Sequence, residues 1–237
     1  TAFISYRGTD DTISGWREDF EMSFSDEIPS QRDAASYLEL TAAFLDCPIM
    51  LGGHSKGGNI AVYASASASE RVSDRITRIY SDDGPGFSEA FIGSDGYKRI
   101  VPRICTYVPQ SSVIGMLFER TEECHVVKSD SIGLLQHLIY SWQADGDDFV
   151  YLDSTDAHSR HLSSAVRGYL KSVSREEREA VIDFIFSVLS SGADRIPELI
   201  RPGAIASSVR VLASRSRSER LEVASELSRF IWALIRG

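Results

Sequence analysis

Met50-Leu51-Gly52-Gly53-His54-Ser55-Lys56-Gly57-Gly58-Asn59 is the stretch on which the fold turns. It passes from an apolar run through a glycine-flanked turn into residues 59–68, which are apolar, small and helical in pattern. An apolar strand, a sharp turn and a helix in that order form a nucleophile elbow, where a serine held in a strained backbone conformation pushes its hydroxyl out of the turn. Gly53 and Gly57, two before and two after Ser55, remove side chains that would collide across the turn. The helix starting behind the serine aims N–H groups at any negative charge that develops there. The bland alternative is a glycine-rich loop with no chemistry. A phosphate-binding loop fits poorly, because GxxxxGK[ST] is absent and Lys56 follows the serine directly.

Outward from the elbow, short β-rich runs alternate with helical patterns. Residues 2–6, 48–51, 78–80, 104–108 and 124–127 read as strands, and residues 149–152 as a strand closing an edge. Residues 33–45 read as a helix, with Tyr37, Leu40 and Phe44 at spacings of three and four. This alternation predicts an α/β fold, a mainly parallel sheet covered by helices, over residues 1–153. Beyond about residue 154 the strands stop. Ser174-Arg175-Glu176-Glu177 has the form of a capping box, with Val181, Ile185, Val188 and Leu189 as the apolar stripe behind it. Leu221, Ala224, Leu227, Ile231 and Leu234 form a second stripe, and residues 209–220, rich in serine and arginine, read as a mobile connection. Residues 154–237 are therefore expected to be a helical region packed on the sheet or on a second subunit, the latter giving a homo-oligomer.

Bulk properties narrow the partners. A chain of 237 residues buries one sizeable core, and 43% hydrophobic with 25% charged residues is ordinary for a water-soluble protein. A formal net charge of −9 argues against nucleic acid as a partner, since phosphate neutralisation needs concentrated basic charge. Apolar stretches fall far short of a membrane span, which argues against stable membrane insertion, and no basic start precedes an apolar signal core. The chain opens Thr1-Ala2-Phe3 in what reads as mid-strand, so further N-terminal strands are expected upstream. Cys47, Cys105 and Cys124 are odd in number, widely spaced and without a CxxC pair, the pattern of reduced, buried thiols in a cytoplasmic protein.

Tyr6-Arg7-Gly8-Thr9, followed by Trp16 and Asp19, adds a second motif. An aromatic-Arg-Gly-Ser/Thr sequence, a downstream Trp-x-x-Asp and a Gly-His-Ser-x-Gly elbow resemble the class 3 lipases. The fuller string GHSKGGN, with Asp83-Gly84-Pro85-Gly86-Phe87 later, resembles still more closely a bacterial family of predicted α/β-hydrolases related to those lipases. The lipase-like part covers roughly residues 1–142, and the helical tail is also similar to the bacterial family. The resemblance implies an α/β-hydrolase fold, a small acyl-ester or lipid-like substrate, and no metal or organic cofactor. It implies Thr9 as one donor to an oxyanion, the backbone N–H of Lys56 being the second. Arg7 and Asp19 are expected to pair and hold the loop.

A serine nucleophile needs a base that works near neutral pH, hence a histidine. Five are present. His54 adjoins the nucleophile and is expected to point away from it. His125 lies within a strand and reads as a core residue. His158 and His161, spaced i, i+3 near Asp156, give only a weak metal signal without further ligands. His137 remains, in the loop after the 124–127 strand, where the base of an α/β-hydrolase belongs. The acid has to lie between Ser55 and His137 in chain order. Class 3 lipases carry an Asp after the strand corresponding to 104–108, but here that loop reads Pro109-Gln110-Ser111-Ser112-Val113. Asp83, at the end of the preceding strand, is the candidate in its place. Asp130 is the reserve, Asp83 merely shaping its turn is the structural alternative, and without any acid a backbone carbonyl or Ser111 would orient the ring. The expected chemistry is acyl transfer by Ser55, His137 and Asp83. The rival is a hydrolase-fold binding or scaffolding module without turnover, which the missing carboxylate after Gln110 favours.

Overall fold

The computed structural model describes residues 1–236. Six strands form the main sheet: β1 (Ala2–Tyr6), β2 (Ile49–His54), β3 (Ile76–Asp82), β4 (Ile104–Pro109), β5 (Cys124–Val127) and the short β8 (Tyr151–Leu152). They lie in the order β1-β2-β3-β4-β5-β8, the first five parallel and β8 antiparallel on β5. Residues 149–152 do not form one strand. Val150 breaks the run, and Asp148–Phe149 (β7) pairs instead with Ala144–Asp145 (β6) in a separate ribbon. The fold is α/β.

The strands occur in sequence order without reversal, so right-handed crossovers deliver their helices to one face. On that face α2 (Pro29–Ala42), α3 (Lys56–Ser67) and α6 (Asp95–Ile100) pack together, and α3 lies on β1, β2 and β3. The short helices α4 (Glu70–Ser73) and α5 (Glu89–Ile92) complete the crossovers. Burial alternates along the strands accordingly. Ile4, Leu51, Ile79 and Ile104 are buried with Ala34, Leu38 and Ala42 of α2, Ala61 and Ala64 of α3, and Tyr97 and Ile100 of α6. Small residues on α3 let its backbone approach the sheet closely, which is why this helix is buried along nearly its whole length.

The other face of the sheet carries a row of aromatic residues. Phe3 and Tyr80 meet over Gly52 with centroids 6.2 Å apart. Tyr107 contacts His125 at 5.4 Å and Tyr151 at 6.4 Å. His125 is therefore exposed rather than in the core. Its strand alternates with period two, and the side chain falls on the side opposite the helices. The three cysteines are free and only half-buried, Cys105 and Cys124 lying on β4 and β5.

Helix α2 begins four residues before the expected start, because Pro29 occupies its first position and the Gln31 side chain accepts from Ile28 N–H at 3.0 Å. Its buried face is Ala34, Leu38 and Ala42, whereas Tyr37, Leu40 and Phe44 are exposed. Size misled the periodicity here: the small residues face α3, where helices pack tightly.

The chain divides into two compact units, Thr1–Gly8 with Asp26–Ser163 and Thr9–Ser25 with the residues from Ser164 onward. The boundary thus falls later than residue 153, and a segment near the N-terminus belongs to the helical unit. That segment contains α1 (Ile13–Glu21). Ile13 is buried with Phe186, Ala193 and Ala204; Phe20 meets Phe186 at 5.6 Å; Arg17 pairs with Asp183 and Arg195 with Asp11. Besides the end of α7 (Ala157–Ser172), this unit contains α8 (Arg175–Leu189), α9 (Pro202–Ser214) and α10 (Arg217–Arg236). The Ser174–Glu177 capping box forms as expected, and Phe186 joins Val181 as a buried residue of α8. Residues 209–220 are not an irregular connection. They end α9 and start α10, where Ser216 and Glu219 cap each other. Leu221 and Ala224 of the expected second stripe are exposed, Val223 and Glu226 being buried instead, and the side chains of Leu227, Ile231 and Leu234 lie outside the described residues. No described helix is long and apolar enough to cross a membrane.

Asn59 ties the first unit together. Its amide donates to Pro85 O at 3.1 Å and Gly86 O at 3.0 Å and accepts from Gln31 Nε2 at 2.9 Å, and the residue is 1% exposed. Asn59→Leu strands these buried partners and is expected to lower stability by about 3 kcal/mol in urea titrations. A loss below about 1 kcal/mol would mean that the network is incidental.

Candidate active site

Ser55 follows the last residue of β2 and caps α3, with φ 58° and ψ −131°. That backbone region is costly for a residue with a side chain, and such strain persists only where surrounding structure over-determines it. Here the constraints are explicit. Ser55 N–H donates to Asp82 O at 2.9 Å, and Ser55 O accepts from Gly58 N–H at 2.9 Å and Asn59 N–H at 3.3 Å. A Cβ at Gly53 would strike Tyr6 O and the Gly57 backbone, and one at Gly57 would strike Tyr6 O, so both glycines are required by close backbone approach. Ser55 stays half-buried, and Lys56 stands at the first position of α3.

The end of β3 meets this turn. His54 is in register with Asp82, and the next residue, Asp83, has φ 50°. Asp83 is fully buried, and its carboxylate accepts three hydrogen bonds: His137 Nδ1 at 2.6 Å, Ser112 Oγ at 2.5 Å and Gly115 N at 3.1 Å. Its own N–H donates to Tyr107 O at 2.7 Å. The structure thus brings Asp83 and His137 together over 54 residues of sequence. Asp130 is elsewhere: its N–H donates to Ser141 O and its carboxylate accepts from Gln143.

His137 ends the turn Gly133–His137, with its side chain 24% exposed. Buried Gln136 fixes that turn, accepting from Ser111 N–H at 2.9 Å and donating to Ser131 O at 2.9 Å, while Trp142 Nε1 donates to Gln136 O at 2.8 Å. With Nδ1 committed to Asp83, Nε2 is the nitrogen left for proton transfer. Apolar Leu134, Leu135 and Leu138 flank His137 in sequence and are exposed.

Three residues of this site escaped the sequence. His54, expected to point away, lies against His137 with ring centroids 4.4 Å apart and the rings tilted by 40°, and places Nε2 2.6 Å from His137 O. Ser112 and Gly115 hold the Asp83 carboxylate from the loop after β4, whose residues 110–115 carry no carboxylate of their own. Ser111, the fallback partner for the ring, donates its hydroxyl to Asp156. Asp156 also caps α7 through Ser159 N–H at 2.7 Å. Among the described residues, no group of three or more His, Cys, Asp and Glu side chains could hold a metal, His158 and His161 included.

Thr9 belongs to the helical unit. Its hydroxyl donates to the Asp19 carboxylate, with Oγ1 2.7 and 2.8 Å from the two oxygens. A hydroxyl has one proton to give, so this one is committed to Asp19.

The fold and site define an α/β protein with a strained strand–serine–helix turn beside a pair formed by a buried aspartate and a half-buried histidine. The chain belongs to the Mbeg1-like family, whose model matches residues 1–187. No curated protein matches it.

Asp82 offers a test of the site's electrostatics. Burial, and then the neighbouring Asp83, push its carboxyl up from 3.8 to about 6. Between those values the folded chain holds a proton that the unfolded chain has released, so this contribution to stability is complete below about pH 3.8 and lost as pH rises through about 6. Asp82→Asn should remove that slope and raise stability at pH 7 by on the order of 2 kcal/mol, after allowance for partial exposure. Unfolding midpoints that decline equally with pH in both proteins would refute it.

Proposed function

We propose that the protein is a serine hydrolase of esterase/lipase type, cleaving an acyl ester or thioester through Ser55, His137 and Asp83. The observation that carries this reading is the 2.6 Å pairing of Asp83 with His137 Nδ1 at the strand end to which Ser55 N–H is bonded. An imidazole fixed at Nδ1 by a carboxylate has the tautomer that leaves Nε2 as acceptor. Ser55 Oγ forms a bond to the acyl carbon while His137 Nε2 takes the hydroxyl proton. The ester C–O or thioester C–S bond then breaks, and the leaving alcohol or thiol departs with that proton. Water repeats the sequence on the acyl-enzyme, releasing the carboxylic acid and restoring Ser55.

Lys56 N–H, at the dipolar start of α3, is the proposed donor to the oxyanion. The class 3 lipase resemblance adds Thr9. In this structure its hydroxyl proton is given to Asp19. The exposed leucines flanking His137 favour an apolar acyl or alcohol group on the substrate.

Wild-type protein should label covalently with a fluorophosphonate, and Ser55→Ala should not. Labelling of both would place the nucleophile elsewhere, and labelling of neither would favour a binding module without turnover. Asp83→Asn should remain folded and lose about 10⁴-fold in kcat through the wrong imidazole tautomer, with Asp130→Asn nearly silent. A folded Asp83→Asn protein that keeps most of its activity would remove Asp83 from the mechanism.

Substrate class is read from a series of acyl esters of graded chain length. kcat/KM should rise with each added methylene, by at most about fourfold each, and Leu138→Ser should flatten the slope. A rate indifferent to chain length would mean that the leucines serve another purpose.

A further inference from the structure

The hydrogen bond that His137 Nδ1 donates to Asp83 fixes one atom of the ring and leaves the ring free to swing about that contact. A second grip comes from β2. His54 Nε2 lies 2.6 Å from the main-chain oxygen of His137, and the two rings are in tilted contact, with centroids 4.4 Å apart and 40° between their planes. A carbonyl oxygen only accepts, so His54 donates and carries its proton on Nε2. We propose that His54 is a positioning residue for His137, setting the height and tilt of the imidazole relative to the Ser55 turn by holding both its carbonyl and its ring. This rests on the reading of His137 as the base.

The geometry suits that task. His54 directly precedes Ser55 on the same strand end and is in register with Asp82, whose carbonyl accepts from Ser55 N–H. One rigid element therefore carries the nucleophile and the group that locates its base, and a displacement of one moves the other. The grip also acts on the turn Gly133–His137, whose carbonyl at Gln136 is held separately by Trp142. Two successive carbonyls are thus tied down by two aromatic N–H donors from opposite sides in sequence. Burial, and then the nearby His137, lower the proton affinity of His54 against the opposing pull of its bond to His137 O and of Asp83. A neutral His54 is what the arrangement needs. When His137 becomes an imidazolium, a charged neighbour in ring contact would repel it, whereas a neutral ring accommodates a cation.

The test separates the two grips and does not depend on turnover. In a Ser55→Ala background, the His137 Nδ1 proton, bonded to Asp83 at 2.6 Å, should give a far-downfield NMR resonance. His54→Phe keeps a ring and loses the donor, and His54→Gln keeps a donor of similar reach. The resonance should broaden through faster exchange in His54→Phe and persist in His54→Gln. With Ser55 intact, His54→Phe should lose about 10–100-fold in kcat with KM nearly unchanged, as expected of a misplaced base, and His54→Gln should recover most of it. A folded His54→Phe protein with the parent's resonance, or with the parent's kcat, would overturn the proposal. So would a loss confined to KM. Absence of the resonance from the parent would count against the Asp83–His137 pairing itself and overturn this proposal with it. Failed fluorophosphonate labelling beside an intact, His54-dependent resonance would sink the hydrolase reading alone.

Discussion

A buried carboxylate is affordable only when its oxygens are bonded, and Asp83 organises this site through that requirement. It is fully buried, and its partners arrive from two separate loops: Ser112 and Gly115 after β4, and His137 after β5. Removing the loops would leave the carboxylate unpaired, and removing the carboxylate would leave three donors without an acceptor. The ends of three neighbouring parallel strands are tied by this one group. Its tight φ of 50° turns the chain into Gly84-Pro85-Gly86, whose carbonyls at Pro85 and Gly86 are in turn held by Asn59 of α3. The elbow helix and the acid-bearing turn are therefore parts of a single polar network laid over an apolar core.

That network explains how Ser55 keeps its strained conformation. The strain is local, but what opposes relaxation is distributed: a hydrogen bond to β3, two from α3, and the close approach of the Gly53 and Gly57 backbone to Tyr6 of β1. Each constraint comes from a different element, so no single side-chain movement releases the turn. The sheet supplies the register and the glycines supply the clearance.

The architecture around the site follows from chain order. Because β1 to β5 are neighbours in sequence as well as in space, the helices of the crossovers collect on one face. The opposite face is left to aromatic residues such as Tyr80, Tyr107 and Tyr151, which cover the strands with their own side chains. In the helical unit long-range ion pairs do similar work: Arg17 of α1 pairs with Asp183 of α8, and Asp11, just before α1, pairs with Arg195 between α8 and α9.

The sequence by itself determined what depends on local chemistry. The elbow is legible because a strand, two glycines and a small-residue helix have few other uses, and the Ser174–Glu177 cap because its partners are three residues apart. His137 and Asp83 were legible as candidates through chain order and loop position, and the strand pattern gave the α/β class. Only the tertiary structure decided what depends on facing and on distant partners. Periodicity marks a stripe but not which stripe faces inward, so the large residues Tyr37 and Leu40 of α2 are exposed while Ala34 and Leu38 are buried. His125 reads as core in one dimension and is exposed because only one sheet face is covered by helices. The junction at Ser216 carries the same three-residue cap spacing, to Glu219, and reads as a mobile link only where its serine and arginine content is weighed above that spacing. Segment 9–25 joins the helical unit through contacts with residues such as Asp183 and Arg195 that no local pattern announces. His54, Ser112 and Gly115 entered the site for the same reason: each acts through a hydrogen bond to a residue far away in sequence, and such a bond exists only once the chain is folded.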